Sequence, residues 1–328
     1  MDNIASTTDK QRKSIFTDVA TKLNLPPYIV EKDFWVSWSL DKIFANPKLR
    51  DVLRFNGGTS ISKAYRIIER IPADVDLILK KDVVLMPEEK LEQPSKTKQA
   101  AFDKQIEKRD GQFIQSVLKD TISRSLTGIC SVESGPERHI LQISYHQVFD
   151  YDYTLPTIKL EIGSLSLWEP YEEVLITSFV SNVLPELKIK NPIVPTITAV
   201  RTFWEKIIIL HREAHRPINA NTPPSRCSRH YYDIFRLGHS NIKETALTNV
   251  DTLKYIVEFN IRFYPRGWAK YDEAKPGTIK LIPPEHSIPA LKSDYERVRP
   301  GFYGYVPDFE NILAYLTNLE SDINNLSR

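Results

Sequence analysis

Apolar positions along the chain first mark out helices. Ile15, Phe16, Val19 and Leu23 fall near one face of a helix over 8–22. Leu25-Pro26-Pro27 breaks it, and Pro27 suits the first turn of a second helix from Tyr28 to Phe44. In that helix Val30, Phe34 and Trp38 form a stripe that Trp35 and Leu40 widen. Its charged triplet Glu31-Lys32-Asp33 reads as a solvated face. Val52–Phe55 reads as a strand, Gly57-Gly58 as a turn, and Ser60–Glu69 as a helix that Pro72 stops, with Ile61, Ala64, Tyr65 and Ile68 facing inwards. Val75, Leu77 and Leu79 then alternate with Asp74, Asp76 and Ile78, the pattern of a half-buried strand.

Residues 80–112 are densely charged in both signs and predict a loop or insertion, then a helix from about Lys98 with Phe102, Ile106, Phe113 and Val117 at helical spacing. Two strands follow, carrying Leu141, Ile143, Tyr145 and Ile158, Leu160, Ile162; the opposite face of the second holds Lys159, Glu161 and Gly163. After Pro192 and Pro195 the pattern turns helical, over Thr196–Arg216, Arg229–Gly238, Asn241–Phe263 and Phe309–Ser327, with 216–226 a Pro- and Asn-rich loop. The expected division is a mixed-sheet domain over 1–195, with N-terminal helices, and a mainly helical domain over 196–328.

The alternation that defines the Asp74–Leu79 strand also sends both aspartates to one side, close enough to share a divalent cation. Glu161, on the polar face of another strand, supplies a third carboxylate. Such a set can hold two metal ions for nucleotidyl transfer. A surface strand with a polar face is the plainer alternative for Asp-x-Asp alone. The Gly57-Gly58-Thr59-Ser60 turn one element upstream changes that balance, because its backbone N–H groups and hydroxyls can meet the phosphates of a nucleoside triphosphate. Lys63, one turn into the following helix, could reach the same phosphates. Lys206 lies among Trp204, Ile207, Ile208 and Leu210, so it occupies either an exposed stripe or a cleft. Asp233, with Arg229 and Arg236 near it, poses the same question.

Composition narrows the setting. At 328 residues and net charge +2, the chain is large enough for one or two cores and too nearly neutral for a surface that binds nucleic acid throughout. Between 196 and 240 there are seven Lys or Arg against three Asp or Glu, a local basic excess. The two cysteines, Cys130 and Cys227, are too few for a disulfide framework and read as free thiols. The polar N-terminus and the absence of any long apolar run point to a soluble cytoplasmic protein without a membrane partner.

Several blocks together resemble the AbiEii/AbiGii-type nucleotidyltransferase toxins of type IV toxin–antitoxin, or abortive-infection, systems. They are VEKDFWVSW (30–38), FNGGTSISKAYRIIERIPADVDLIL (55–79), IKLEIG (158–163), TFWEKIIILHRE (202–213), SRHYYDIFRL (228–237), FYPRGWAKYDEAKPGTIKLIPP (263–284) and a last helix ending in DINN (322–325). The resemblance implies an α+β, DNA-polymerase-β-like nucleotidyltransferase fold followed by a helical domain that completes an active-site cleft. It implies that Asp74 and Asp76 are metal ligands, Lys63 a triphosphate contact, Lys206 a nucleotide-binding lysine and Asp233 an active-site residue; Glu161 matches an acidic strand position. Ile71-Pro72-Ala73 departs from the Phe-Ser-Glu-like lead that relatives carry. The implied activity is transfer of a nucleotide from an NTP, with release of pyrophosphate and with Mg²⁺ or alternatively Mn²⁺, to the 3′ end of tRNA, held in check by a cognate antitoxin encoded nearby. A protein or small-molecule acceptor, and a non-catalytic nucleotide- or RNA-binding module, are the competing readings.

Overall fold

The computed structural model describes residues 1–72, 74–126, 128–150, 156–220 and 222–326. Ala73 of the Ile71-Pro72-Ala73 lead, Asn221 of the predicted loop and Ser327 of the last predicted helix lie outside them. The chain divides into two compact units, one of Met1–Arg66 with Ile71–Ile197, the other of Ile67–Arg70 with Thr198–Arg328.

The first unit is built on a mixed seven-stranded sheet: β1 Leu53–Asn56, β2 Asp74–Leu79, β3 Ser131–Ser134, β4 Ile140–Ser144, β5 Thr157–Gly163, β6 Tyr171–Leu175 and β7 Ile193–Ile197. Their order is β3-β4-β5-β2-β1-β7-β6, so the aspartate strand β2 stands in the middle. It runs antiparallel to β1 and parallel to β5. Strands β1, β2, β4 and β5 sit where the alternation predicts them. Strands β3, β6 and β7 go beyond it: β3 and β6 are mostly exposed sheet edges with little apolar alternation, and β7 carries Pro195.

The helix Pro27–Ala45 packs against the Asp9–Leu23 and Phe179–Val183 helices, a helix over Lys119–Ser125, and β7. Surrounded in this way, it buries Ile29, Val30, Phe34, Trp35, Val36, Trp38 and Leu40, each worth roughly 1.5–3 kcal/mol when taken fully from water. No side remains for a solvated charge. Glu31, Lys32 and Asp33 are therefore fully inside, at 0%, 1% and 2% exposure, which corrects the reading of this triplet as a surface face.

A second correction concerns the helix expected over Ser60–Glu69. It spans Gly57–Lys63, so the two glycines are its first turn, and Arg66 has left the helical region at φ +55°. The side chains after Lys63 explain the early end. Tyr65 donates to the Ile197 carbonyl (3.0 Å), and Arg66 donates to the Thr177 hydroxyl and to Asn182 (3.2 Å). The charged 80–112 region contains a helix from Lys96 to Phe113; of the four apolar residues at helical spacing, Phe102 and Ile106 turn inwards, whereas Val117, beyond its end, is exposed.

In the second unit, helix Ser228–Gly238 packs on Ala199–Ala214, Ile242–Thr248, Ile288–Val298 and Phe309–Asn325. The single helix expected over Asn241–Phe263 is two, because the chain turns at Asn249 before Asp251–Phe263 begins. Ile288–Val298 is an additional helix, with Pro289 in its first turn, where a missing N–H costs nothing. Both thiols are free and buried, and burial pushes each up to about 12. Among the described residues no helix is long and apolar enough to cross a membrane.

Candidate active site

The first unit gathers the carboxylates through strand register. Parallel pairing of β2 with β5 sets Asp76 beside Glu161 and Asp74 beside Lys159. Along both strands the apolar residues Val75, Leu77, Ile158, Leu160 and Ile162 are buried, whereas Asp74, Asp76, Lys159 and Glu161 keep partial exposure. One face of the central strands is thus polar because the other closes the core.

The glycine turn meets this face from β1. Asn56 pairs with Asp76, and Gly57 follows at φ +78°, in the left-handed region that glycine enters without strain. A Cβ on Gly57 would overlap the Asp76 carboxylate, lying 2.6 Å from its Cγ. The first N–H groups of a helix have no intrahelical acceptor, and those of Gly57–Lys63 start beside this carboxylate. The hydroxyls have internal tasks: Thr59 donates to the Asp74 carbonyl and Ser60 to the Gly57 carbonyl (2.7 Å). What the turn can offer a phosphate is therefore backbone N–H more than hydroxyl.

Lys63 is buried, and its ammonium bonds Asp33 and the Thr177 carbonyl (2.8 Å), differing in this placement from a lysine open at the turn. Burial lowers its pKa, and the Asp33 charge opposes that. Asp33 also accepts from the Phe179 N–H (2.7 Å). Glu31 accepts from the N–H groups of Val148 and Phe149 at 2.8 and 3.2 Å. Lys32 donates to the Thr157 carbonyl at the start of β5, with its Nζ 5.7 Å from the Tyr145 ring centroid. Burial pulls Lys32 down to about 8, against the attraction of Asp74. The triplet thus fastens one core helix to three separate stretches of the sheet unit. The signal in sequence was apolar residues on both flanks, Ile29-Val30 and Phe34-Trp35-Val36, which leave a charged triplet no outer face.

Lys159 lies among the carboxylates, bonded to Glu161 at 2.5 Å. Partial burial alone would lower its pKa, but that bond and the charges of Glu161 and Asp74 carry it upward. The all-oxygen donor set of Asp74, Asp76 and Glu161 suits a hard divalent cation. Among the described residues no three His, Cys, Asp or Glu side chains are gathered tightly enough to hold a metal as they stand. Asp74 and Asp76, on one face of β2 with Asp76 beside Glu161, have the chemistry such an ion takes.

The second unit places Lys206 and Asp233 together, on helices Ala199–Ala214 and Ser228–Gly238, 2.7 Å apart. Both are buried, so the lysine is on no exposed stripe. Arg70 reaches the same carboxylate, with Nε 3.3 Å from Oδ1, and its backbone bridges to Phe302. Burial would raise the Asp233 pKa; Arg70, then Lys206, outweigh it and hold the carboxyl at about 2. His230 Nδ1 lies 3.5 Å from the Lys206 Nζ. Burial and the neighbouring positive charges push His230 well below its ordinary value, so it is neutral. Arg70 is not singled out in the sequence: it lies within the 55–79 block, but 163 positions from Asp233, so nothing local links the two.

A mixed-sheet α+β unit with an Asp-x-Asp strand against a glycine turn is the arrangement expected of a nucleotidyltransferase. The profile of the family described as nucleotidyl transferase AbiEii toxin, type IV toxin–antitoxin system, matches residues 38–315. The chain belongs to that family and is a nucleotidyltransferase toxin of the type IV class. Among solved structures it is similar to MenT4, a nucleotidyltransferase toxin from Mycobacterium tuberculosis H37Rv, at 14% identity over 95% of this chain and 98% of that one, with a TM-score of 0.46. No curated protein matches it.

Proposed function

We propose that the enzyme transfers a nucleotide from an NTP to the 3′ end of tRNA in a Mg²⁺-dependent reaction that releases pyrophosphate. The observation that carries this reading is the register that sets Asp76 beside Glu161 of β5 and against Gly57 at the end of β1. Asp74 and Asp76 would hold the divalent ion, with Glu161 as a third ligand. When bound, the ion supplies charge neutralisation at the phosphates and activation of the attacking oxygen.

The protein's own groups do the positioning. The start of the Gly57–Lys63 helix orients the phosphates through backbone N–H groups of Gly57, Gly58, Thr59 and Ser60. Lys63 holds that helix in place from within, through Asp33. Lys206 binds the nucleotide, and Asp233 fixes the direction of its ammonium. The basic excess around 196–240 supports an RNA acceptor through phosphate contacts. A cognate antitoxin encoded nearby would restrain the activity, and the reaction would take place in the cytoplasm.

The test is incubation with each labelled NTP, Mg²⁺ and total tRNA, with Asp76→Asn beside the wild type. Label is expected on RNA with the wild type alone. Equal labelling by both would remove the aspartates from the chemistry, and label on protein or a small molecule would replace the tRNA acceptor.

A further inference from the structure

Among the described residues, the charges around Asp233 do not balance. Lys206 and Arg70 bring two positive charges to one carboxylate, and His230 contributes none. The neighbouring carboxylate Glu69 does not supply the difference. It is bonded to Arg236 at 2.6 Å and to the Tyr305 N–H at 3.2 Å. An interior that holds charge usually neutralises it, because an unpaired buried ion costs several kcal/mol, roughly, even after relaxation.

The two cations also hold Asp233 unequally. Lys206 bonds Oδ2 at 2.7 Å, the length of a good charge-assisted bond. Arg70 stands off at 3.3 and 3.4 Å, and its Nε and the Asp233 Oδ1 both lack a hydrogen bond of proper geometry. An arginine fork has five donors, and this one is only loosely used. The side chains of Arg70 and Lys206 keep 10% and 6% exposure, while Asp233 has none.

We propose that Arg70 is a phosphate-binding residue, which with Lys206 receives the triphosphate of the nucleotide as the missing counter-ion of this cluster. The proposal rests on the nucleotidyl-transfer reading above and adds to it a residue and a reason. It separates Arg70 from a merely structural arginine. Deleting a structural arginine leaves a buried carboxylate unpaired, whereas deleting Arg70 leaves Lys206 and Asp233 as a matched pair.

The experiment measures binding of each NTP, of inorganic tripolyphosphate, of the corresponding nucleoside and of a short RNA to wild type, Arg70→Met and Arg70→Lys by calorimetry, with melting temperatures alongside. Arg70→Met is expected to keep its melting temperature or gain slightly, and to lose roughly tenfold or more in affinity for NTP and tripolyphosphate. Arg70→Lys should fall between, since it keeps the charge without the fork. Nucleoside binding should not change. Unchanged triphosphate affinity in Arg70→Met would overturn the proposal, as would a large drop in melting temperature in both variants. Loss confined to RNA would overturn the nucleotide assignment in favour of the acceptor. Asp76→Asn, assayed for transfer in parallel, keeps the two readings apart. Transfer lost there with triphosphate affinity intact in Arg70→Met rejects only the role of Arg70, whereas transfer surviving in Asp76→Asn rejects the reaction assigned to the aspartates.

Discussion

Asp76 rests its carboxylate on the bare α-carbon of Gly57, where no other residue leaves room for it. Gly57→Ala adds a methyl at φ +78° and at the place of that carboxylate. The left-handed strain alone is about 1–2 kcal/mol, and Asp76 must also turn away. Transfer activity should be almost lost while the sheet survives, with a modest fall in urea midpoint. An active Gly57→Ala enzyme would show that Asp76 need not sit there.

Asp33 and Lys63 form a buried ion pair in the sheet unit. Either Asp33→Leu or Lys63→Met should destabilise by about 3–5 kcal/mol, because each strands a charge in the core. The double variant Asp33→Leu/Lys63→Met should recover much of that loss. Urea denaturation of the four proteins measures the coupling, and additive losses would mean the two residues act independently.

Lys159 is bonded to Glu161, the third of the carboxylates proposed to hold a divalent cation. Lys159→Met removes an ammonium bonded to Glu161 and frees that third ligand. Mn²⁺, followed by the paramagnetic signal of the free ion, should bind severalfold more tightly to the variant. Weaker binding would mean that Lys159 orients Glu161 for the metal.

Asp233 links stability to acid pH. Its folded pKa of about 2 lies below the ordinary 3.8. The unfolded chain therefore takes up the proton first as pH falls. The stabilisation is complete above about pH 4, declines as pH drops towards 2, and amounts to about 2 kcal/mol at most. Asp233→Asn should flatten this part of the stability profile, measured by urea midpoints between pH 5 and 2, and should cost stability at neutral pH. A parallel profile in the variant would assign the acid sensitivity to other carboxylates.

Much of the candidate site was legible in the chain itself. The two-residue period that makes β2 and β5 half-buried also decides which way Asp74, Asp76 and Glu161 point, and a diglycine before a hydroxyl pair announces a close backbone approach. Local pattern suffices there because one strand's alternation already separates core from site. Long-range packing decided the rest. Glu31-Lys32-Asp33 entered the core because helices and sheet close on every side of their helix; the apolar flanks of the triplet signal burial, but the partners that satisfy its charges lie far along the chain. The helix after Gly57 stopped at Lys63 because Tyr65 and Arg66 found partners more than a hundred residues away. Arg70 met Asp233 across 163 positions. Period and turn chemistry are properties of neighbours in the chain; the pairing of charges, and the imbalance left around Asp233, depend on which distant groups share a low-dielectric interior, and only the tertiary structure brings those together.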